Sequence, residues 1–195
     1  MNNILYINAC CRASSRTDEL AQHLLSKLDG KVTELKLYEE NIKPLDGKLL
    51  AERDNLIKDG KTDDEMFSWA KQFAAADTII IAAPYWDLMF PSVLKVYLEN
   101  ICVCGITFRY SDKGVPDSLC KVQKLCYVTT SGGFIGENNF GYDYVKALAK
   151  GFFGIGDVSF FSAEGLDIYG ADVELIMQNT KEYILSEFSD NFDNI

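Results

Sequence analysis

The residues Thr78-Ile79-Ile80-Ile81 lead directly into Ala82-Ala83-Pro84-Tyr85-Trp86-Asp87-Leu88-Met89-Phe90-Pro91. So short an apolar run reads as a strand buried on both faces, the kind found inside a parallel sheet. It ends in a bent aromatic loop. Pro91 then starts a helix that reads Ser92-Val93-Leu94-Lys95-Val96-Tyr97-Leu98. Parallel neighbours need a crossover connection, so this segment commits the chain to alternating strands and helices. In open sheets of that kind, flat ligands lie beyond the carboxyl ends of the strands.

The remaining sequence keeps the alternation. Asn3 to Asn8 is a nearly continuous apolar strand, and leucines at 20, 24 and 28 make a helical stripe from Thr17 to Asp29-Gly30. Val32 to Leu37 alternates as a second strand. Residues 39–60 are charged and irregular, with one short helix expected through Leu49 to Ile57. Thr62-Asp63-Asp64-Glu65 has the capping-box pattern and predicts a helix with Met66, Trp69, Ala70 and Phe73 on its core face.

Asp77 to Ala82 is the third strand, and the helix behind its loop runs to about Cys102. Ile106 to Tyr110, followed by Ser111-Asp112-Lys113-Gly114, predicts a hairpin or an extended excursion. Lys124 to Thr130 and Asp157 to Ser162 are the fourth and fifth strands. Helices are expected near Tyr142 to Phe153 and Gly170 to Phe188. This predicts one α/β domain over residues 1–195: a flavodoxin-like three-layer sandwich whose five-stranded parallel sheet has the order 2-1-3-4-5, with helices on both faces.

Composition narrows the function. With 29 acidic against 19 basic residues the formal net charge is −10, which argues against nucleic acid as a partner, since phosphate neutralisation supplies most of that affinity. No apolar run is long enough to span a membrane. The N-terminus Met1-Asn2-Asn3-Ile4 lacks the pattern of a secretory signal, so a cytoplasmic location is expected. The six cysteines, Cys10-Cys11 and Cys102-x-Cys104 among them, have no supporting ligands for a metal site. They are expected as reduced thiols, four mostly buried and two in a loop.

Three loops should open on one edge of the sheet. The first, Ala9 to Thr17, carries Ser14, Ser15 and Thr17 with Arg12 and Arg16, and leads into a helix whose amides and dipole suit an anion. An ordinary N-cap at Ser14 or Ser15 would explain the hydroxyl residues equally well. The loop contains no glycine, which excludes the dinucleotide fingerprint, and no Gly-Lys-Ser/Thr, which excludes the triphosphate loop. A single phosphate monoester is the better fit. The second loop presents Pro84, Tyr85, Trp86, Asp87 and Leu88, and the third Thr130, Ser131, Gly132 and Gly133. A monophosphate site, an aromatic slot and a glycine turn together describe flavin mononucleotide (FMN).

The chain resembles the flavodoxin-like NAD(P)H quinone reductases and, within them, the FMN-dependent NADH-azoreductases. The resemblance spans nearly its whole length and is carried by Pro84-Tyr85-Trp86-Asp87-Leu88, Gly105-Ile106-Thr107-Phe108-Arg109-Tyr110-Ser111, Ser131-Gly132-Gly133 and the closing Ala163-Glu164-Gly165. It implies a homodimer with noncovalent FMN at sites on the interface. Electrons would pass from NADH or NADPH, by ping-pong turnover, to quinone, azo or nitro compounds. Ser15, Arg16 and Thr17 would hold the phosphate, with Arg12 assigned there by position alone. Tyr85 to Leu88 and Thr130 to Gly133 would line the ring. Phe108 and Tyr110 would build the substrate pocket, with Tyr110 contacting the acceptor.

Azoreductases usually carry asparagine where this chain has Asp87, and some carry arginine where it has Ser131. A carboxylate at 87 can only accept hydrogen bonds, and it would disfavour negative charge on a nearby flavin. The competing readings are a flavodoxin-like electron carrier without enzymatic activity, and a hydrolase using Ser14 or Cys10 as nucleophile. The second lacks a base, because the sole histidine, His23, falls about two turns into the first helix.

Overall fold

The computed structural model describes residues 1–189. Five strands, β1 (Asn3–Asn8), β2 (Lys31–Lys36), β3 (Thr78–Ala82), β6 (Lys124–Thr130) and β7 (Asp157–Ala163), form one parallel sheet of order β2-β1-β3-β6-β7. Counted among the sheet's own strands, this is the expected 2-1-3-4-5. Between β3 and β6 the chain makes a separate antiparallel hairpin, β4 (Phe108–Tyr110) with β5 (Pro116–Ser118), as the sequence predicts.

Side-chain alternation divides the core. Leu5, Ile7, Ile79, Ile81, Leu125 and Tyr127 point to one face, where they meet α3 (Ser68–Ala75), α4 (Ser92–Ile101) and α5 (Phe140–Gly151). Ile4, Tyr6, Ile80, Cys126 and Val128 point to the other, against Leu20 and Leu24 of α1 (Arg16–Leu25) and Met177 and Ile184 of α6 (Val173–Ser189). Successive residues of a strand face opposite sides, so only strands apolar at every position can feed two cores. β3 has all five residues buried. The edge strand β2 buries only Leu35, and its Val32 stays 43% exposed, because no strand covers its outer side.

Several local expectations shift. α1 stops at Leu25, so Leu28 lies beyond the helix. α2 (Gly47–Lys58) starts earlier than expected because Asp46 caps the amides of Lys48 and Leu49; none of its residues is fully buried. The capping role assigned to Thr62 falls to Asp64, which caps a single 3₁₀ turn at Glu65–Phe67 before α3 begins. That turn changes the helical phase: Phe67, Ala70 and Phe73 are buried, while Met66 and Trp69 are only partly so. All six cysteines are free, but only Cys126 is fully buried. Cys10, Cys102 and Cys120 are half-buried, and Cys11 and Cys104 exposed.

Candidate functional site

Four loops meet beyond the carboxyl ends of β1, β3, β6 and β7. They enclose a cleft of about 330 Å³, within the size range of small-ligand sites.

The first wall is the loop into α1. Ser15 is the N-cap, its hydroxyl accepting from the Asp18 amide at 3.3 Å. The N-cap reading therefore holds for Ser15, which also lines the cleft with Cys11, Arg12, Ser14, Arg16 and Thr17. Among the hydrogen bonds of the described residues, the amides of Arg16 and Thr17 find no acceptor. Orphan donors at the positive end of a helix dipole favour an anion. The Thr17 side chain is fully buried, and its hydroxyl meets that of Thr130 at 2.6 Å. It ties the first loop to the third, so what Thr17 offers a ligand is its backbone amide.

Beneath this loop a polar network fixes the start of α1. Tyr6 donates its hydroxyl to Asp18 at 2.5 Å, and Asn8 bridges Asp18 and Glu34 through its amide nitrogen. The Asn8 side-chain oxygen accepts from the Cys10 amide at 2.9 Å. Burial, with Asp18 adding to it, raises the Tyr6 pKa far enough that the phenol stays a donor. Burial also pushes the Cys10 thiol up to about 11, which makes it a poor nucleophile near neutral pH. His23 does not line the cleft. The hydrolase reading has no support here.

The second wall is the loop after β3. The Tyr85 amide donates to the Thr130 carbonyl at 3.0 Å and its hydroxyl to the Asn138 carbonyl at 2.8 Å, which ties both its backbone and its ring to the β6–α5 connection. Trp86 and Met89 exchange two backbone hydrogen bonds of 2.8 Å, closing a two-residue turn with positive φ at both Asp87 (49°) and Leu88 (68°). Type I′ turns have this geometry and prefer asparagine and glycine at those positions, so the Asp87-Leu88 pair is strained. Pro84, Tyr85 and Trp86 line the cleft. Asp87 and Leu88 form the exposed tip of the turn beside it.

The third wall, Thr130 to Gly132, is locked to a fourth that sequence reasoning missed. The amides of Gly165, Leu166 and Asp167 donate to the carbonyls of Gly133, Ser131 and Gly132 at 3.1, 3.1 and 3.0 Å. Ser131 donates its hydroxyl to the Gly133 carbonyl at 2.6 Å. A Cβ at Gly132 would lie 2.5 Å from a carboxylate oxygen of Asp167, so a side chain there would have to displace that carboxylate. Gly133 is exposed and does not line the cleft. Asp167 also ion-pairs with Arg16 at 3.2 Å, and both line the cleft. The signal for it was present: Asp167 follows two residues behind the Ala163-Glu164-Gly165 block, just past a strand end on the ligand edge.

Phe108 and Tyr110 are not brought to the cleft. Phe108 is 6% exposed and packs edge-on against Phe152 and Tyr110, while Tyr110 is exposed on the hairpin.

Comparison with known proteins agrees with this fold. Residues 2–187 match the family described as Flavodoxin-like fold. An FMN-dependent NADH:quinone oxidoreductase 2 of Clostridium acetobutylicum is 36% identical over 194 residues, covering 93% of this chain and 96% of that one. A similar protein, the FMN-dependent NADH:quinone oxidoreductase of Lachnoclostridium phytofermentans, is 35% identical, with 93% and 96% covered. Among solved structures, an FMN-dependent NADH-azoreductase of Bacillus anthracis in complex with FMN superposes with a TM-score of 0.82 at 24% identity, covering 97% of this chain and 99% of that one. At that identity the superposition speaks for the fold.

Proposed function

The chain belongs to the flavodoxin-like fold family, and from that premise we propose that it is an FMN-dependent NADH oxidoreductase that reduces quinones and azo compounds. The observation that carries this is the polarity of the cleft. Arg12, Arg16 and helix-start amides without an acceptor line it together with Tyr85, Trp86 and Gly132. Those residues fit a flat ring with one phosphate tail. The curated relatives named above carry FMN and NADH in their names, in line with the donor chemistry of this cleft.

FMN bound here supplies two-electron chemistry, accepting hydride equivalents from the reduced nicotinamide and passing them to the acceptor. The residues place it and tune it. The α1 amides, Arg12 and Arg16 hold the phosphate, and Tyr85, pinned through its amide and hydroxyl, sets the width of the ring slot. The interlocked third and fourth loops hold Gly132 where the backbone can approach the ring closely. Donor and acceptor would use the open face in turn, which is ping-pong turnover, and nitro compounds would be accepted as well. NADPH remains a second candidate donor.

The reading extends to a homodimer. The hairpin carrying Tyr110 stands away from its own cleft, so a Tyr110 role in acceptor contact requires a second copy to deliver it. Tyr110→Phe is then expected to slow reduction of the acceptor several-fold while leaving flavin reduction by NADH unchanged, measured by stopped-flow in separate half-reactions. Equal effects on both would make Tyr110 a packing residue.

Asp87→Asn removes a negative charge from the turn beside the ring and suits the positive φ better. It is expected to raise the flavin midpoint potential by on the order of 30 mV, equivalent to roughly 1.4 kcal/mol for two electrons. A redox titration that finds the potential unchanged or lower counts against placing the ring beside this turn. Thiol labelling gives an independent check. Cys11 and Cys104 are the exposed thiols, and only Cys11 lines the cleft, so FMN should slow the labelling of Cys11 and leave Cys104 unaffected.

Assayed directly, the protein should oxidise NADH in the presence of a quinone such as menadione. A protein that binds FMN but leaves NADH untouched would be an electron carrier.

A further inference from the structure

Arg16 and Asp167 stand 151 positions apart in the chain and meet in the cleft wall, Arg16 Nη1 to Asp167 Oδ1 at 3.2 Å. The pair stabilises the fold little, since the Arg16 side chain is 45% and the Asp167 side chain 75% exposed, and exposed ion pairs are weak. Asp167 is held there by more than the pair. Its amide donates to the Gly132 carbonyl at 3.0 Å, and its carboxylate occupies the space that a side chain at Gly132 would need. A negative charge is therefore built into a cleft whose remaining donors, the α1 amides with Arg12 and Arg16, suit an anion.

Resting on the FMN reading above, we propose that Asp167 is a specificity-determining residue: its carboxylate competes with the phosphate of the ligand for Arg16, and so sets how strongly the cleft prefers FMN to riboflavin. The single-oxygen contact to Asp167 leaves the other guanidinium donors free. A phosphate offers two charges and can engage the guanidinium fork bidentately, so it displaces or shares Arg16 and must overcome the carboxylate in doing so. The uncharged ribityl end of riboflavin meets no such competition.

The test measures flavin fluorescence quenching on titrating the flavin-stripped full chain with FMN and with riboflavin. Wild type, Asp167→Asn, Arg16→Gln and the double variant are compared. Asp167→Asn should tighten FMN binding about two- to fivefold, the scale of releasing Arg16 from one exposed ion pair, while riboflavin changes less than about 1.5-fold. The gain should shrink in 1 M salt, where the screening length is roughly 3 Å. In the Arg16→Gln background Asp167→Asn should lose most of its effect on FMN.

A selectivity ratio that is unchanged or lower in Asp167→Asn overturns the proposal, as does an equal gain with and without Arg16. Because the readout is a ratio between two flavins, a loss of folded protein cannot imitate it. A wild-type chain that binds neither flavin defeats the FMN reading itself, and the proposal with it. Wild-type binding of FMN with an unmoved ratio defeats the proposal alone.

Discussion

Arg12→Glu should weaken FMN binding by roughly 30- to 300-fold, or about 2–3.4 kcal/mol, and change riboflavin binding by less than about twofold. Arg12 lies in the loop between β1 and α1 and lines the cleft. Arg16 is shared with Asp167, whereas Arg12 forms no ion pair among the described residues, so its charge is fully available to a phosphate. A hydrogen bond to a charged group contributes about 1.5–3 kcal/mol, and reversing the sign adds repulsion that solvent at this exposed position partly screens. The helix-start amides are untouched, so binding is weakened but not abolished. If both flavins weaken equally, Arg12 acts by shaping the loop and not by meeting the phosphate.

Phe153→Ala should lower the free energy of unfolding by about 3–5 kcal/mol, the usual cost of emptying a buried phenylalanine site. Phe153 is 2% exposed, just past the end of α5, and its ring centroid is 4.7 Å from that of Phe73 on α3. Its carbonyl accepts from the Ser118 hydroxyl at 2.6 Å, which couples the β4–β5 hairpin to the same point. A loss of this size is a large share of the roughly 5–15 kcal/mol that a domain has. Phe153 does not line the cleft. Below the lowered melting temperature, the folded variant should bind FMN within about twofold of wild type, because distant sites act independently. A melting temperature within a degree or so of wild type would mean that the α3–α5 side is not packed as described.

Strands were the most legible part of the fold. β6 has the expected bounds, Lys124–Thr130, and β3 starts one residue later than expected, because a strand buried on both faces leaves a mostly apolar run in the sequence. Helix starts were harder to read. Asp46 and Asp64 cap helices at points where the surrounding charge hid them, and the 3₁₀ turn at Glu65–Phe67 moved Phe67 into the core in place of Met66.

In the cleft, residue types identified the loops but not their partners. That Thr17 is taken up by Thr130, or that Asp167 reaches Arg16, depends on chain segments 113 and 151 residues apart, which no local pattern encodes. The roles of Phe108 and Tyr110 came from family likeness alone, and their hairpin stands clear of the cleft within the single chain. The strain at Asp87-Leu88 was equally hidden, since neither residue type announces a positive φ.

Flavin content tests the central claim most directly. Freshly purified full-length protein should show the two visible absorption bands of oxidised flavin, and heat-denatured supernatant should release FMN, about one per chain. If it is isolated without flavin, added FMN should be taken up with quenching of its fluorescence. A colourless protein that leaves the fluorescence of added FMN unchanged would contradict the account.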